Sequence, residues 1–188
     1  MDFSEDIERA VECLRDGGII LYPTDTIWGI GCDATNSEAV KKIYSLKQRS
    51  DSKSMLVLVD SVVMLEKIVE EVPDVAGHII EMSEDPVTII YDKARNIAPE
   101  LIPEDGSLGV RITKEEYSAE LCRRLGGPIV STSANISGTP YPSFFDDIAD
   151  AIRYGVNYCA NFRRNERKSV NPSRIIKISR GGVFKIIR

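Results

Sequence analysis

The chain has 188 residues, 43% hydrophobic and 28% charged, with 24 Lys and Arg against 29 Asp and Glu for a formal charge of −5. That size suits one domain over residues 1–188 with a single core, and no apolar run reaches the roughly 18–20 residues of a bilayer span. The acidic balance excludes gripping nucleic acid through a basic surface, so an anionic ligand must meet a local basic pocket. The first residues, Met1-Asp2-Phe3-Ser4-Glu5-Asp6, are acidic where a secretion signal is basic and then apolar, so a cytoplasmic location is expected. Cys13, Cys32, Cys122 and Cys159 are widely spaced and His78 is the only histidine, which argues against a zinc site or a disulfide framework and predicts buried free thiols.

In chain order, Ser4 is a candidate cap for a helix whose stripe is Ile7, Ala10, Val11 and Leu14. Gly17-Gly18 stops it, and Ile19 to Tyr22 reads as a buried strand followed by a polar turn at Pro23-Thr24-Asp25-Thr26. A helix over 37–47, a strand over 55–59 and helices near 62–71 and 74–82 follow, the last carrying His78 as a packing residue. Strands are predicted at Val87–Tyr91, Leu108–Ile112 and Pro128–Ser131, with a helix over 115–125 ended by Gly126-Gly127 and another over 143–154. Arg174–Ile178 and Val183–Ile187 close the chain as a hairpin. Mixed strands and helices give an α/β fold with an open mixed sheet. Two long connections, 92–106 and the arginine-rich 163–172, read as working loops.

Three clusters could carry chemistry. Lys47-Gln48-Arg49 with Lys53 puts cations at a helix end, where they suit the helix dipole or could cradle phosphates and a carboxylate. Ser131-Thr132-Ser133-Ala134-Asn135 after a strand is either a self-bonded turn or a polyphosphate or amino-acid site. Pro23 to Gly29 displays side chains at a sheet rim. Neither common nucleotide-loop signature is present, and no Ser-His-Asp set is credible, so these residues alone suggest an anion-binding α/β enzyme.

In this order the clusters resemble the YrdC-like family. Leu21-Tyr22-Pro23-Thr24-Asp25-Thr26 with Trp28-Gly29-Ile30-Gly31-Cys32-Asp33-Ala34 is similar to its first signature. Lys47-Gln48-Arg49 matches its K-x-R element and Ser133-Ala134-Asn135 its S-x-N element, with related segments at Pro86-Val87-Thr88, Gly109 to Ile112 and Asn171-Pro172-Ser173. The resemblance implies an open twisted mixed sheet with flanking helices around a positively charged cavity. It also implies condensation of L-threonine, bicarbonate and ATP to threonylcarbamoyl-AMP and pyrophosphate, for threonylcarbamoyl-adenosine modification of tRNA.

Carried over by position, Lys47, Arg49, Ser133 and Asn135 form the implied catalytic set. Thr26, Arg111, Ser131 and Ser173 form the threonine pocket, and Arg49, Lys53, Ser107, Ser133, Tyr141 and Arg188 contact ATP. Mg2+ is expected with the triphosphate, without a protein metal site. Downstream transfer enzymes are implied partners, and tRNA or double-stranded RNA is a candidate one. Trp28, Ser50, Ser54, Asp85, Thr113 and Arg174 depart from the commonest family pattern, and Asp85 and Arg174 each add charge near the expected cavity. The alternative is a catalytically silent relative of the same fold that binds RNA or nucleotide. A detached carbamoyl-transfer module is disfavoured because its companion acylphosphatase and zinc-finger segments do not occur in the sequence.

Overall fold

A computed structural model describes residues 2–48, 55–167, 172–179 and 183–187. The first apolar stripe forms helix α1 (Phe3–Arg15), with Ile7, Ala10, Val11 and Leu14 buried. Asp2, not Ser4, caps it, its carboxylate accepting from the Glu5 N–H at 2.8 Å. The earlier start brings Phe3 into the packed face, its ring edge-on to Tyr117 and Phe162 at 5.9 and 5.0 Å.

Strand β1 (Ile20–Tyr22) is followed by β2 (Gly29–Gly31), helix α2 (Ser37–Lys47), β3 (Leu56–Val59), α3 (Val62–Ile68) and α4 (Asp74–Met82). Then come β4 (Val87–Tyr91), β5 (Leu108–Ile112), α5 (Glu116–Leu125), β6 (Ile129–Ser133), α6 (Asp150–Arg153), β7 (Tyr158–Cys159), β8 (Arg174–Ile178) and β9 (Phe184–Ile186). Among the described residues they make one sheet in the order β7-β1-β2-β6-β3-β5-β4-β8-β9. The pairs β1–β7, β3–β5 and β4–β8 are parallel and the others antiparallel, so the sheet is mixed and open, as the pattern predicts. Helix α1 packs on α5 and β7, while α3 and α5 pack on β3.

The differences from expectation have local causes. Strand β2 was not foreseen: a Gly-Ile-Gly segment has little strand propensity. It forms because the chain there runs against its neighbours so closely that a Cβ on Gly31 would lie 2.5 Å from the Val130 carbonyl oxygen. Strand β6 runs two residues past the expected end, its hydroxyl residues pairing Thr132 with Ile30 and Ser133 with Gly29. The stretch 143–154 is no single helix. A 3-10 turn over Phe145–Asp147 closes when the Asp147 carboxylate accepts from the Phe144 N–H at 3.1 Å, and Ile148 then turns extended and buried before α6.

The connection 92–106 is packed against the fold: it carries a 3-10 turn over Pro99–Leu101 with Leu101 buried. Tyr44 Oη donates to the Glu100 carbonyl at 3.1 Å, and Ser37 Oγ to the Glu100 carboxylate at 2.9 Å. His78 is exposed on α4, so the packing role expected of it is not what it does. Cys32 and Cys122 are buried and Cys13 and Cys159 partly so, all as free thiols. No helix of the described residues is long and apolar enough to cross a membrane. The expected turn at 180–182 lies outside the described residues.

Candidate active site

Side chains alternate across a strand, so residues two apart share a face. Thr88 and Ile90 on β4, Ser107, Gly109 and Arg111 along β5, Ser131 and Ser133 on β6, and Ser173 and Ile175 at β8 are such sets, and all of them line one cavity of about 350 Å³. Their neighbours Ile89, Val110 and Val130 are buried on the other face. The Thr26–Gly29 turn closes one side, and Tyr141, 46% exposed, stands at the rim. A concave, largely apolar space of this size with a few convergent polar groups is the usual form of a small-ligand site.

All four residues expected in the threonine pocket (Thr26, Arg111, Ser131, Ser173) line this cavity, as do Ser107, Ser133 and Tyr141 from the expected ATP set. Arg49, Lys53 and Arg188 lie outside the described residues. Among the described lining residues Arg111 is the one charged side chain. It is 3% exposed, with Nη2 3.0 Å from Asp25 Oδ1. Burial pushes the Asp25 carboxyl above its ordinary range; Arg111 opposes this and Glu115 adds to it.

Two of the cavity hydroxyls, those of Thr26 and Ser107, are already assigned by their partners. Thr24 Oγ1 donates to the Ile27 carbonyl at 2.8 Å and accepts from the Thr26 N–H at 3.0 Å, which fixes the turn. With the Thr24 proton spent, Thr26 Oγ1, 3.0 Å away, must be the donor in that contact. Thr26 Oγ1 also accepts from Arg111 Nη2 at 3.5 Å, so toward a ligand it is an acceptor. Ser107 Oγ likewise donates to Asp105 at 2.6 Å. The Ser107 hydroxyl and N–H, with Lys177, hold the Asp105 carboxyl down at about 2. Thr88 Oγ1 and Ser173 Oγ share a hydrogen bond at 2.8 Å.

Lys47 and Asn135 are brought together but do not line the cavity. Lys47 is 1% exposed, and its ammonium donates to the Ser133 carbonyl and, at 2.6 Å, to the Asn135 carbonyl. Asn135 Nδ2 donates to the Thr139 carbonyl at 2.6 Å. This lysine therefore ties the end of α2 to the end of β6, and its charge is met by backbone oxygens.

Two other expectations are corrected. Asp85 and Arg174 do not add charge to the cavity: they sit off it and pair with each other at 3.2 Å, both well exposed. The basic run after β7 is committed to structural contacts. Arg163 bonds the Thr24 carbonyl, Glu115 and Glu166, Arg164 bonds the carbonyls of Cys159 and Ala160, and Arg167 pairs with Asp146; Lys168 lies outside the described residues. Trp28, a departure from the family pattern, lines the cavity and packs its ring 4.9 Å from Phe145. Sequence reasoning missed Thr88, Gly109 and Asp25 as parts of the site. The first two could have been found by applying the two-residue period to the strands that carry Ser173's partner and Arg111.

The sequence matches the Sua5/YciO/YrdC family, described as "Telomere recombination", over residues 12–188. A threonylcarbamoyl-AMP synthase of Acinetobacter baumannii is 31% identical over 186 residues, covering 95% of this chain and 97% of the relative. The structure of E. coli YciO superposes with a TM-score of 0.82 at 23% identity, covering 97% of this chain and 87% of that one. P. abyssi Sua5 complexed with L-threonine gives a TM-score of 0.83 at 23% identity over 95% of this chain, which spans about half (52%) of that protein's length. The family match over most of the chain, the near-full-length relative and the shared fold agree, and this chain belongs to the Sua5/YciO/YrdC family.

Proposed function

We propose that this protein is a threonylcarbamoyl-AMP synthase, condensing L-threonine, bicarbonate (as carbon dioxide) and ATP, with release of pyrophosphate. The observation that carries the reading is the single cavity that gathers Arg111 with Thr26, Ser131 and Ser173 from four separate segments of a chain of this family. The guanidinium suits the amino-acid carboxylate. Thr26, able only to accept, suits the ammonium or hydroxyl of threonine, and Ser131 and Ser173 supply the other short polar contacts.

In the reaction, threonine's ammonium gives up two protons to solvent as its nitrogen bonds the carbon of carbon dioxide, leaving a carbamate. A carbamate oxygen then bonds to the α-phosphorus of ATP as the bond to the departing pyrophosphate breaks. No protein nucleophile is needed, and neither histidine nor cysteine is among the described residues of the cavity wall. Catalysis then rests on positioning and on charge stabilisation. Ser107, presenting lone pairs, suits an exocyclic amine or ribose hydroxyl of ATP, with Ser133 and Tyr141 alongside. Arg49, Lys53 and Arg188 would meet the phosphates. Lys47 and Asn135 act by holding the turn that follows Ser133 at the end of β6. Mg2+ would enter with ATP, as part of that substrate. The product serves threonylcarbamoyl-adenosine modification of tRNA through transfer enzymes in the cytoplasm, with tRNA or double-stranded RNA a further ligand.

Incubation with ATP, labelled bicarbonate and threonine tests the proposal. The expected result is a labelled adenylate whose formation requires all three. Nucleotide binding without adenylate would instead favour a silent relative of the same fold.

A further inference from the structure

The ion pair that holds Arg111 separates two cavities. Arg111 lines the one just described, while Asp25 lines a second, of about 310 Å³, and is absent from the wall of the first. Asp25 therefore backs the guanidinium from outside the substrate space. We propose that Asp25 is a positioning residue for the amino-acid carboxylate, and that it takes up one proton from solvent when that carboxylate docks on Arg111. The proposal rests on the threonine reading of the cavity.

The charge inventory supports it. The Asp25 side chain is 13% exposed, and Oδ1 makes no hydrogen bond although Arg111 Nη2 lies 3.0 Å away. A bound ligand carboxylate would put two anions on one buried guanidinium, and like charges sharing a site drive one of them to protonate. Among the described residues the compensation is partial: Arg163 favours the ionised Asp25 carboxylate but is itself engaged by Glu115 and Glu166, and Glu115 at the cap of α5 adds negative charge. Across the second cavity Glu84 and Asp85 outnumber Lys114, and the buried Tyr22 at the end of β1 stays neutral. Burial already lifts the Asp25 carboxyl in the free protein, so of the two carboxylates it is the one that protonates. Arg111 stays charged throughout.

The sign follows directly. The complex holds one more proton than the separated partners, so threonine affinity falls as pH rises, approaching tenfold per unit where Asp25 is ionised when free and neutral when bound. Threonine's own carboxylate and ammonium keep their charges between about pH 5.5 and 7.5. The one histidine of the sequence, His78, is exposed on α4 and serves as the control.

The test is titration calorimetry of threonine into the protein without bicarbonate, in buffers of unequal ionisation enthalpy. The expected result is net proton uptake by the wild type and by His78→Asn, and none by Asp25→Asn, whose affinity no longer varies with pH. A purely structural role for Asp25 would weaken binding in the variant without changing the proton count. Threonine binding by the wild type with no proton uptake, or uptake that persists in Asp25→Asn, overturns the inference. The wild-type measurement decides even if the variant does not fold. Wild-type protein that binds no threonine in any buffer overturns the threonine reading itself.

Discussion

Asp6→Asn will loosen the joint between α1 and the segment after β7. The Asp6 carboxylate, 1% exposed, accepts from the N–H groups of Asn161 and Phe162, each at 2.9 Å. It also accepts from Asn161 Nδ2 at 3.2 Å and from the Tyr158 hydroxyl. Asparagine keeps one acceptor oxygen and turns the other into a donor, which then faces N–H groups. Bonds to a charged acceptor are worth about 1.5–3 kcal/mol each but are not additive, and roughly two are lost, so the expected cost is about 3–4 kcal/mol at pH 7. Burial alone would raise the Asp6 carboxyl; the bonds from Tyr158, Asn161 and Phe162 outweigh it and hold the group below its ordinary value. A depressed carboxylate contributes its full stability above the unfolded pKa of about 3.9, and loses it as pH falls through the folded value. The gap between wild type and variant must therefore be widest near neutrality and shrink in acid. Urea unfolding at about pH 7 and in steps to about pH 2.5 measures it. A difference under about 1 kcal/mol at neutral pH, or a gap that does not shrink on acidification, would refute the argument.

Further outcomes follow from the same geometry. Adenylate formation should rank threonine first, serine second and valine a distant third, because a lost methyl is worth about 1–3 kcal/mol whereas a lost hydroxyl leaves buried polar groups unpaired; valine outperforming serine in a matched assay would show the pocket misassigned. Gly31→Ala should lower stability by about 1–3 kcal/mol in thermal or urea melts, since its Cβ would meet the Val130 oxygen at 2.5 Å and the Tyr22 ring at 2.7 Å, neither free to retreat. The native thiols should resist a disulfide reagent at about pH 8, with all four reacting after denaturation. Burial pushes Cys13 up to about 11 and raises Cys32, Cys122 and Cys159, so little thiolate is present. Fast stoichiometric labelling of Cys32 in native protein would contradict the packing.

The strands Val87–Tyr91, Leu108–Ile112 and Arg174–Ile178 and the helix Ser37–Lys47 end where the sequence pattern ends, because each is bounded by its own turn or cap chemistry. What the pattern hid was decided by partners far along the chain. Gly29 to Gly31 becomes a strand only because Ser133 and Thr132 lie beside it, and a local reading of those hydroxyl residues gives a turn. In the site, Arg111 and Ser173 were legible only through the family resemblance, whereas Gly109 contributes by the space it leaves. Lys47 looked like a free cation at a helix end. Only the folded course of Ser133 to Asn135 places carbonyls around its ammonium. Asp25 was quoted as a motif letter, and its meaning appears only when the arginine it backs is found 86 residues later in the numbering, across the ion pair.

The joint at Asp6 also bears on the order of assembly during synthesis. Helix α1 leaves the ribosome long before its carboxylate partners Tyr158, Asn161 and Phe162, and β1 long before its partners Tyr158 and Cys159. The Asp6 joint must therefore wait until most of the chain has been made, although α5, the main partner of α1, is available earlier. During that interval the buried Asp6 carboxylate has none of these donors, and chains that stall short of Tyr158 will hold α1 less firmly and leave it more open to proteases.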